Sequence, residues 1–269
     1  MSDTSTHSPE PRGRFRPIAE ILVSLRFLTR IPIPFMRTID PPALAQSMRF
    51  FGIAGGLIGA LNGMVLVLLN WCHLPTMIVA VLACGFGLVV TGALHEDGLA
   101  DSADGLFGGR DQEQRLLIMK DSRIGTFGAS ALMIAYLLRV SAYMVILNLP
   151  ALWVILLLAA SGAFSRAMVV DMMWATKPAR NDGLSVLAGR PGRNSSLFAI
   201  LTAGAFTLYA CALIRSDTGI IALAAAGVST ALIRRAAIGM IGGQTGDICG
   251  AVQVIAELGM LTSIVATIG

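Results

Sequence analysis

The sequence predicts an all-α, polytopic membrane protein with about seven transmembrane helices and an N-terminal interfacial helix. Three observations predict it. Mean hydropathy is +0.74, far above a soluble domain, and only 13% of residues are charged. Apolar stretches of about 18 residues or more recur along the chain, each long enough to cross roughly 30 Å of hydrocarbon. The basic residues gather in alternate connections between those stretches, as they do when a chain crosses a bilayer repeatedly.

Taken in order, residues 1–17 are polar and Pro-containing and read as a disordered tail, followed by a single transmembrane catalytic domain over 18–269. Residues 18–31 carry Ile18, Ile21, Leu22, Leu25 and Leu28 on one helical face, with Glu20, Arg26 and Arg30 off it, and Pro32 and Pro34 stop the helix. Such a helix lies flat in the membrane interface or packs on the protein. Spans are expected near 50–70, 76–94, 124–147, 151–170, 197–214, 219–238 and 248–268. The first carries Gly55, Gly59 and Gly63 at four-residue spacing, a small-residue stripe suited to close helix packing in lipid. Cys72, Cys84, Cys211 and Cys249 are scattered without the spacing of a disulfide framework or a zinc site, and read as small hydrophobes.

Orientation follows from the basic residues. Seven arginines precede the first span, four Lys or Arg lie in 95–123, four lie in 171–196, and Arg234 and Arg235 end the sixth span, whereas the opposite connections hold only Arg215. This asymmetry places the N-terminus, both long loops and the 239–247 turn on the cytoplasmic side, and the membrane is expected to be a bacterial inner membrane. It also gives the net charge of +4 a lipid surface rather than a nucleic acid as its partner.

Against this background "HEDGLADSADGLFGG", residues 95–109, stands out, with four carboxylates in nine residues directly after an apolar run. On a helix Asp97, Asp101 and Asp104, spaced four and three apart, share one face within an arc of roughly 60°. Like charges stacked in this way repel. Mg²⁺, which prefers carboxylate, water and phosphate oxygens, would neutralise them and clamp a phosphoryl group. A solvated acidic loop exchanging salt bridges with Arg110 and Arg115 is the plainer alternative. In "KDSRIGTFG", Lys120 and Arg123 are donors suited to phosphate and Asp121 is a further metal ligand. Arg166 lies about one turn inside the end of the fourth span, where an unpaired cation is costly. Lys177 and Arg180 sit in the following loop. Asp247 opens the last helix, as a phosphate-site residue or as a cap. His95 adjoins the acidic row as a base or ligand. Glu257 and Arg139 lie deep in spans and could pair with each other.

The run "HEDGLADSADGLFGGRDQEQRLLIMKDSRIGTFG", with "LRFLTRIPIP" before it and "TGDICGA" and Glu257 after it, resembles the signature of the cobalamin synthase family over about residues 22–260. The family pattern has an apolar residue where this chain has Glu96, so Glu96 is left out of the core site. The resemblance implies a Mg²⁺-dependent phosphoryl transfer that joins α-ribazole or its 5′-phosphate to adenosylcobinamide-GDP, releasing GMP and forming adenosylcobalamin or its 5′-phosphate. Together with the reading of the residues, it puts His95, Asp97, Asp101, Asp104 and Arg166 forward for catalysis. On the residue reading, Lys120, Arg123, Lys177, Arg180 and Asp247 are candidates for substrate binding, and Asp97, Asp101, Asp104 and Asp121 for the metal. The Asp-x-x-Asp-Gly element, Asp101–Gly105, is also similar to that of the CDP-alcohol phosphotransferases, although their Gly-x-x-Ala-Arg continuation is replaced here by Gly-Leu-Phe-Gly-Gly-Arg. A transporter is the reading from a different class, with Arg139, Arg166 and Glu257 lining a pathway. The clustering of charge at one face and the lack of an inverted repeat count against it.

Overall fold

The computed structural model describes residues 16–33, 41–215 and 217–268, and among them every regular element is helical. In chain order these are α1 (Pro17–Leu28), α2 (Leu44–Ser47), a 3-10 turn (Met48–Phe50), α3 (Phe51–Trp71), α4 (Thr76–Thr91), α5 (Leu94–Gly108), α6 (Gln112–Ile118), α7 (Thr126–Ile146), α8 (Ala151–Ala175), α9 (Leu184–Ala188), α10 (Arg193–Ala212), α11 (Thr218–Ile241) and α12 (Gly246–Ile268). The tail expected over 1–17 lies outside the described residues up to position 15, and so does Pro34.

Six helices are long and apolar enough to cross a membrane, and α4 with α5 makes a seventh if that bent pair counts as one broken span. Six of the expected spans are present as single helices, and the second is the bent pair. The fifth begins at Arg193 rather than 197, and the fourth runs on to Ala175 rather than stopping at 170.

The bundle is organised around α8, whose most apolar stretch is 83% buried. Its sequence explains the position. The run Ala159, Ala160, Ser161, Gly162, Ala163 is small and fully buried, and α3 lays its glycine stripe across it in the most extensive helix pairing of the molecule. A Cβ at Gly55 would collide with the Gly162 carbonyl, and one at Gly59 with the Leu158 carbonyl. In lipid, where apolar side chains gain nothing from leaving their surroundings, such backbone approach supplies the packing that holds helices together. α10, α11 and α12 complete the ring around α8, and α12 in turn carries α5 and α7.

The second span departs most from expectation. Instead of running on to 94, the apolar helix stops at Thr91 and the chain turns by 93° into α5. Gly92 and Ala93 both adopt the left-handed conformation that breaks the helix, with φ of 63° and 55°. A left-handed alanine costs roughly 1–2 kcal/mol, so the packing of α5 must outweigh it. The acidic stretch is therefore a packed helix against α12 and α7, with His95, Glu96 and Asp104 buried.

α1 packs against α3, and its buried stripe mixes polar and apolar residues. Glu20, Ser24 and Leu28 face the protein, while Ile18 is 75% exposed. Glu20 is fully buried and receives Arg49 Nε at 2.6 Å, and the Ser24 hydroxyl donates to the Ser47 carbonyl at 2.9 Å. A helix at a lipid boundary can leave a side chain such as Ile18 facing outward because the surroundings there are apolar too, while its few polar groups are satisfied inside.

The connections at the basic end are tied together. Ala179 N donates to the Gln244 carbonyl at 2.8 Å and Gln244 N to the Lys177 carbonyl at 2.9 Å, joining the 176–183 loop to the 242–245 turn. Arg234 pairs with Asp171 between α11 and α8. The four cysteines are free, three of them buried.

Candidate active site

At the basic end, a cleft of about 150 Å³ opens between α1, the start of α3, α5, the end of α8, α9 and the start of α12. Leu28, Phe51, Val169 and Met173 make it apolar on one side, and His95, Asp97, Arg180 and Asp247 make it polar on the other. Apolar walls with a few convergent polar groups are the usual form of a small-molecule site.

The helix carrying the acidic row is real, and its spacing puts Asp97, Asp101 and Asp104 where the sequence expects them. Asp101 lies in the combined field of Asp97, Asp247 and Asp104, with Arg180 the cation that opposes them. Asp97 is exposed, Asp101 half-buried and Asp104 buried. Asp104 has a second duty. Gly125 N donates to its Oδ2 at 2.7 Å and Gly128 N to its Oδ1 at 2.8 Å. The carboxylate thus closes the open amides at the start of α7, where the helix dipole also favours a negative charge. A side chain at Gly125 or Gly128 would collide with that carboxylate, which is why "RIGTFG" carries glycines there. α12 approaches α5 just as closely: the Cα atoms of Gly98 and Gly250 lie together, and this brings Asp247 to the row.

Across from the acids, Arg180 Nη2 lies 3.4 Å from Asp247 Oδ2, and its Nε lies 3.6 Å from Asp182 Oδ1. Lys120 Nζ lies 2.6 Å from Asp182 Oδ2. The structure therefore brings His95, Asp97, Asp101, Asp104, Lys120, Arg180 and Asp247 to one end of the bundle. Other expected residues stand apart. Arg123 is exposed and folded onto Asp121, whose carboxyl its hydrogen bonds hold down at about 2. No contact links Asp121 to the acidic row among the described residues. Lys177 contributes its backbone carbonyl to the loop pairing and leaves its side chain exposed.

Arg166 is not on the cleft. It lines a separate, narrow cavity inside the bundle with Asn62, Glu96, Arg139, Tyr143 and Glu257. There Arg139 Nη1 lies 3.1 Å from Glu96 Oε1 and Arg139 Nε 3.4 Å from Glu257 Oε1, while Arg166 Nη1 lies 3.3 Å from Glu257 Oε2. Gln253 Nε2 donates to Glu257 at 2.6 Å and to the Ser165 hydroxyl at 3.2 Å. Two cations and two anions balance, so the network is neutral at a depth where a lone charge would be costly. Glu96, set aside on sequence grounds, is one of its corners. It ties the first turn of α5 to α7, and Glu257 ties α12 to both α7 and α8. Asp182 also went unmarked in the sequence, where "RNDG" reads as an ordinary polar turn.

The model of the cobalamin-5-phosphate synthase family matches residues 20–265. The chain belongs to that family. Among curated relatives, the adenosylcobinamide-GDP ribazoletransferase of Azorhizobium caulinodans is 39% identical over 93% of this chain and 96% of its own length. The protein of the same name from Bradyrhizobium diazoefficiens is 39% identical over 91% and 92%, and that from Rhizobium johnstonii 38% over 90% and 94%. No solved structure matches the chain. The matched region covers every element of the cleft, from α1 through α12. The family membership makes the chain a transferase of cobalamin synthesis, as the sequence motifs led one to expect.

Proposed function

We propose that the chain is an adenosylcobinamide-GDP ribazoletransferase that works at the basic end of its bundle. A hydroxyl of α-ribazole, or of its 5′-phosphate, forms a bond to the cobinamide-side phosphorus. The bond from that phosphorus to the bridging oxygen breaks, and GMP leaves with the electron pair. The hydroxyl proton passes to a base, for which His95, lining the cleft, is the candidate. The observation that carries this reading is the juxtaposition of Asp97, Asp101 and Asp247 with Arg180 and Lys120 beside an apolar cleft. Phosphoryl transfer needs alignment and charge neutralisation more than a protein nucleophile, and an opposed set of acids and bases supplies both.

The acids fit Mg²⁺ in their chemistry. They are hard oxygen donors in excess over nearby cations. Among the described residues no three His, Cys, Asp or Glu side chains form a closed ligand cage. Mg²⁺ does not require one, because it keeps several waters and is held by one or two carboxylates together with substrate phosphates. Asp101 and Asp97 would hold it, with Asp104 fixing the helix through its amide contacts. Bound there, the ion would supply positive charge to the diphosphate oxygens.

The test is a reconstitution of the purified protein in detergent with Mg²⁺, adenosylcobinamide-GDP and α-ribazole, following GMP and the joined product. Absence of GMP release, with the acceptor and its 5′-phosphate both tried, would remove the assignment. The carrier reading receives no support from the deep charges, because Arg139 and Arg166 are each engaged by a carboxylate.

The same reading sets the basic end in the cytoplasm of a bacterial inner membrane. Cys72, exposed in the opposite link, should react with an impermeant maleimide added to intact spheroplasts. A cysteine placed at exposed Lys177 in a Cys72→Ser background should react only after lysis. The reverse pattern overturns the orientation.

A further inference from the structure

Two cations from loops about sixty residues apart converge on one carboxylate. Lys120 follows α6, and Arg180 follows α8. Asp182 receives Lys120 at 2.6 Å on one oxygen and faces Arg180 Nε at 3.6 Å with the other. Arg180 is fixed from behind. Its loop is pinned at Ala179 by the backbone pairing to Gln244, and its Nη2 meets Asp247 at 3.4 Å. The guanidinium is only 15% exposed, and neither its Nε nor its Nη1 makes a hydrogen bond among the described residues. Asp182 is different. Its side chain is 61% exposed, and Gly183, with φ of 92°, follows it directly.

Stability does not account for the arrangement. An exposed ion pair contributes little to a fold, yet this one holds a largely buried arginine short of hydrogen bonds beside the mouth of the cleft. Bringing two cations together requires an anion between them. A phosphate would present the same charge with more oxygens, and the fork of a guanidinium meets it in two bonds. The Lys120 hydrogen bond also holds the Asp182 carboxyl below the usual carboxylate range, so the aspartate remains an anion throughout the physiological pH range.

We infer that Asp182 is a stand-in for a substrate phosphate, keeping Lys120 and Arg180 poised while the cleft is empty and giving them up to the diphosphate when it binds. This rests on the proposed transferase reading for the identity of the diphosphate. It adds a residue that competes with substrate rather than assisting it. Because the pair is exposed, the competition is worth about two- to fivefold in affinity.

Asp182→Asn keeps the shape and removes the charge at an exposed position. Its KM for adenosylcobinamide-GDP is expected to fall about two- to fivefold, and inhibition by inorganic pyrophosphate to tighten by a similar factor. Lys120→Ala/Asp182→Asn should lose the gain, since one of the freed cations is then missing. An Asp182 with a purely structural role would instead lower kcat and thermal stability without tightening anion binding. A KM that stays level or rises, or pyrophosphate inhibition that does not tighten, overturns the inference. Direct calorimetry of pyrophosphate binding to wild type and Asp182→Asn separates this from failure of the transferase reading. It requires no turnover, and equal affinities there overturn the stand-in role by themselves.

Discussion

Asp101→Asn is expected to lower GMP release by about two orders of magnitude or more, with the protein still inserted and folded. Asp101 is the half-buried centre of the acidic row, flanked by Asp97, Asp104 and Asp247. The change keeps the shape of the side chain and removes a hard anionic donor. A ligand to an ion that stabilises transition-state charge is worth several kcal/mol, and each 1.36 kcal/mol or so is tenfold in rate. If the row were only a charged surface, the same change would relieve repulsion between like charges and leave turnover intact. The measurement is the rate of GMP release at increasing Mg²⁺ for wild type and variant, with a melting curve in detergent as the control for folding. Near-normal release with an unaltered Mg²⁺ dependence would end the metal-site assignment. Asp104→Asn is the informative companion, because it disturbs the start of α7 as well and should lower the melting temperature in addition to the rate.

The second large effect is on stability. Arg139→Leu leaves Glu96 without its cation and Glu257 with only Arg166, inside the bundle. Breaking a buried pair from one side typically costs about 3–5 kcal/mol, whereas replacing both members by apolar residues is often close to neutral. The expected order is therefore Glu96→Leu/Arg139→Leu far more stable than Arg139→Leu alone, read from detergent unfolding and from the yield of monodisperse protein. The double variant leaves Arg166 and Glu257 as a balanced pair. A double variant no better than the single one would show that the two side chains do not share an electrostatic environment.

Much of the fold was legible because the membrane imposes simple requirements. Apolar length gave the spans, and four-residue glycine spacing gave the face of α3 that meets α8. The three-and-four spacing of the aspartates gave their common face on α5 without any knowledge of partners. Long-range chemistry was not legible in the same way. Glu96 pairs with a residue 43 positions away, and nothing local distinguishes it from a loop carboxylate. Arg166 read as a catalytic residue because its depth was counted along one helix, whereas its direction depends on where Glu257 and Ser165 lie. The 93° turn after Thr91 was hidden because Gly92 and Ala93 look like the end of any apolar helix. Glu20 was placed off the apolar face of α1, and its burial depends on Arg49, 29 positions away.

The close seating of α12 on α5 has a consequence for biogenesis. Chains are made from the N-terminus at about 5–20 residues per second, so α5, with its carboxylates and with Glu96 facing Arg139, is threaded into the membrane some 140 residues before its neighbour Asp247 and the balancing Glu257 exist. Until α12 arrives, Arg139 and Arg166 face a gap, and Gly98 has no Gly250 to meet. The protein therefore passes through a nascent state that is charged within the bilayer and has no cleft. Ribosome-stalled chains ending near residue 245 should accordingly be sensitive to membrane quality-control proteases, and full-length chains should not. In that sense the final helix serves as the enzyme's own checkpoint: a chain that fails to seat it cannot acquire a site.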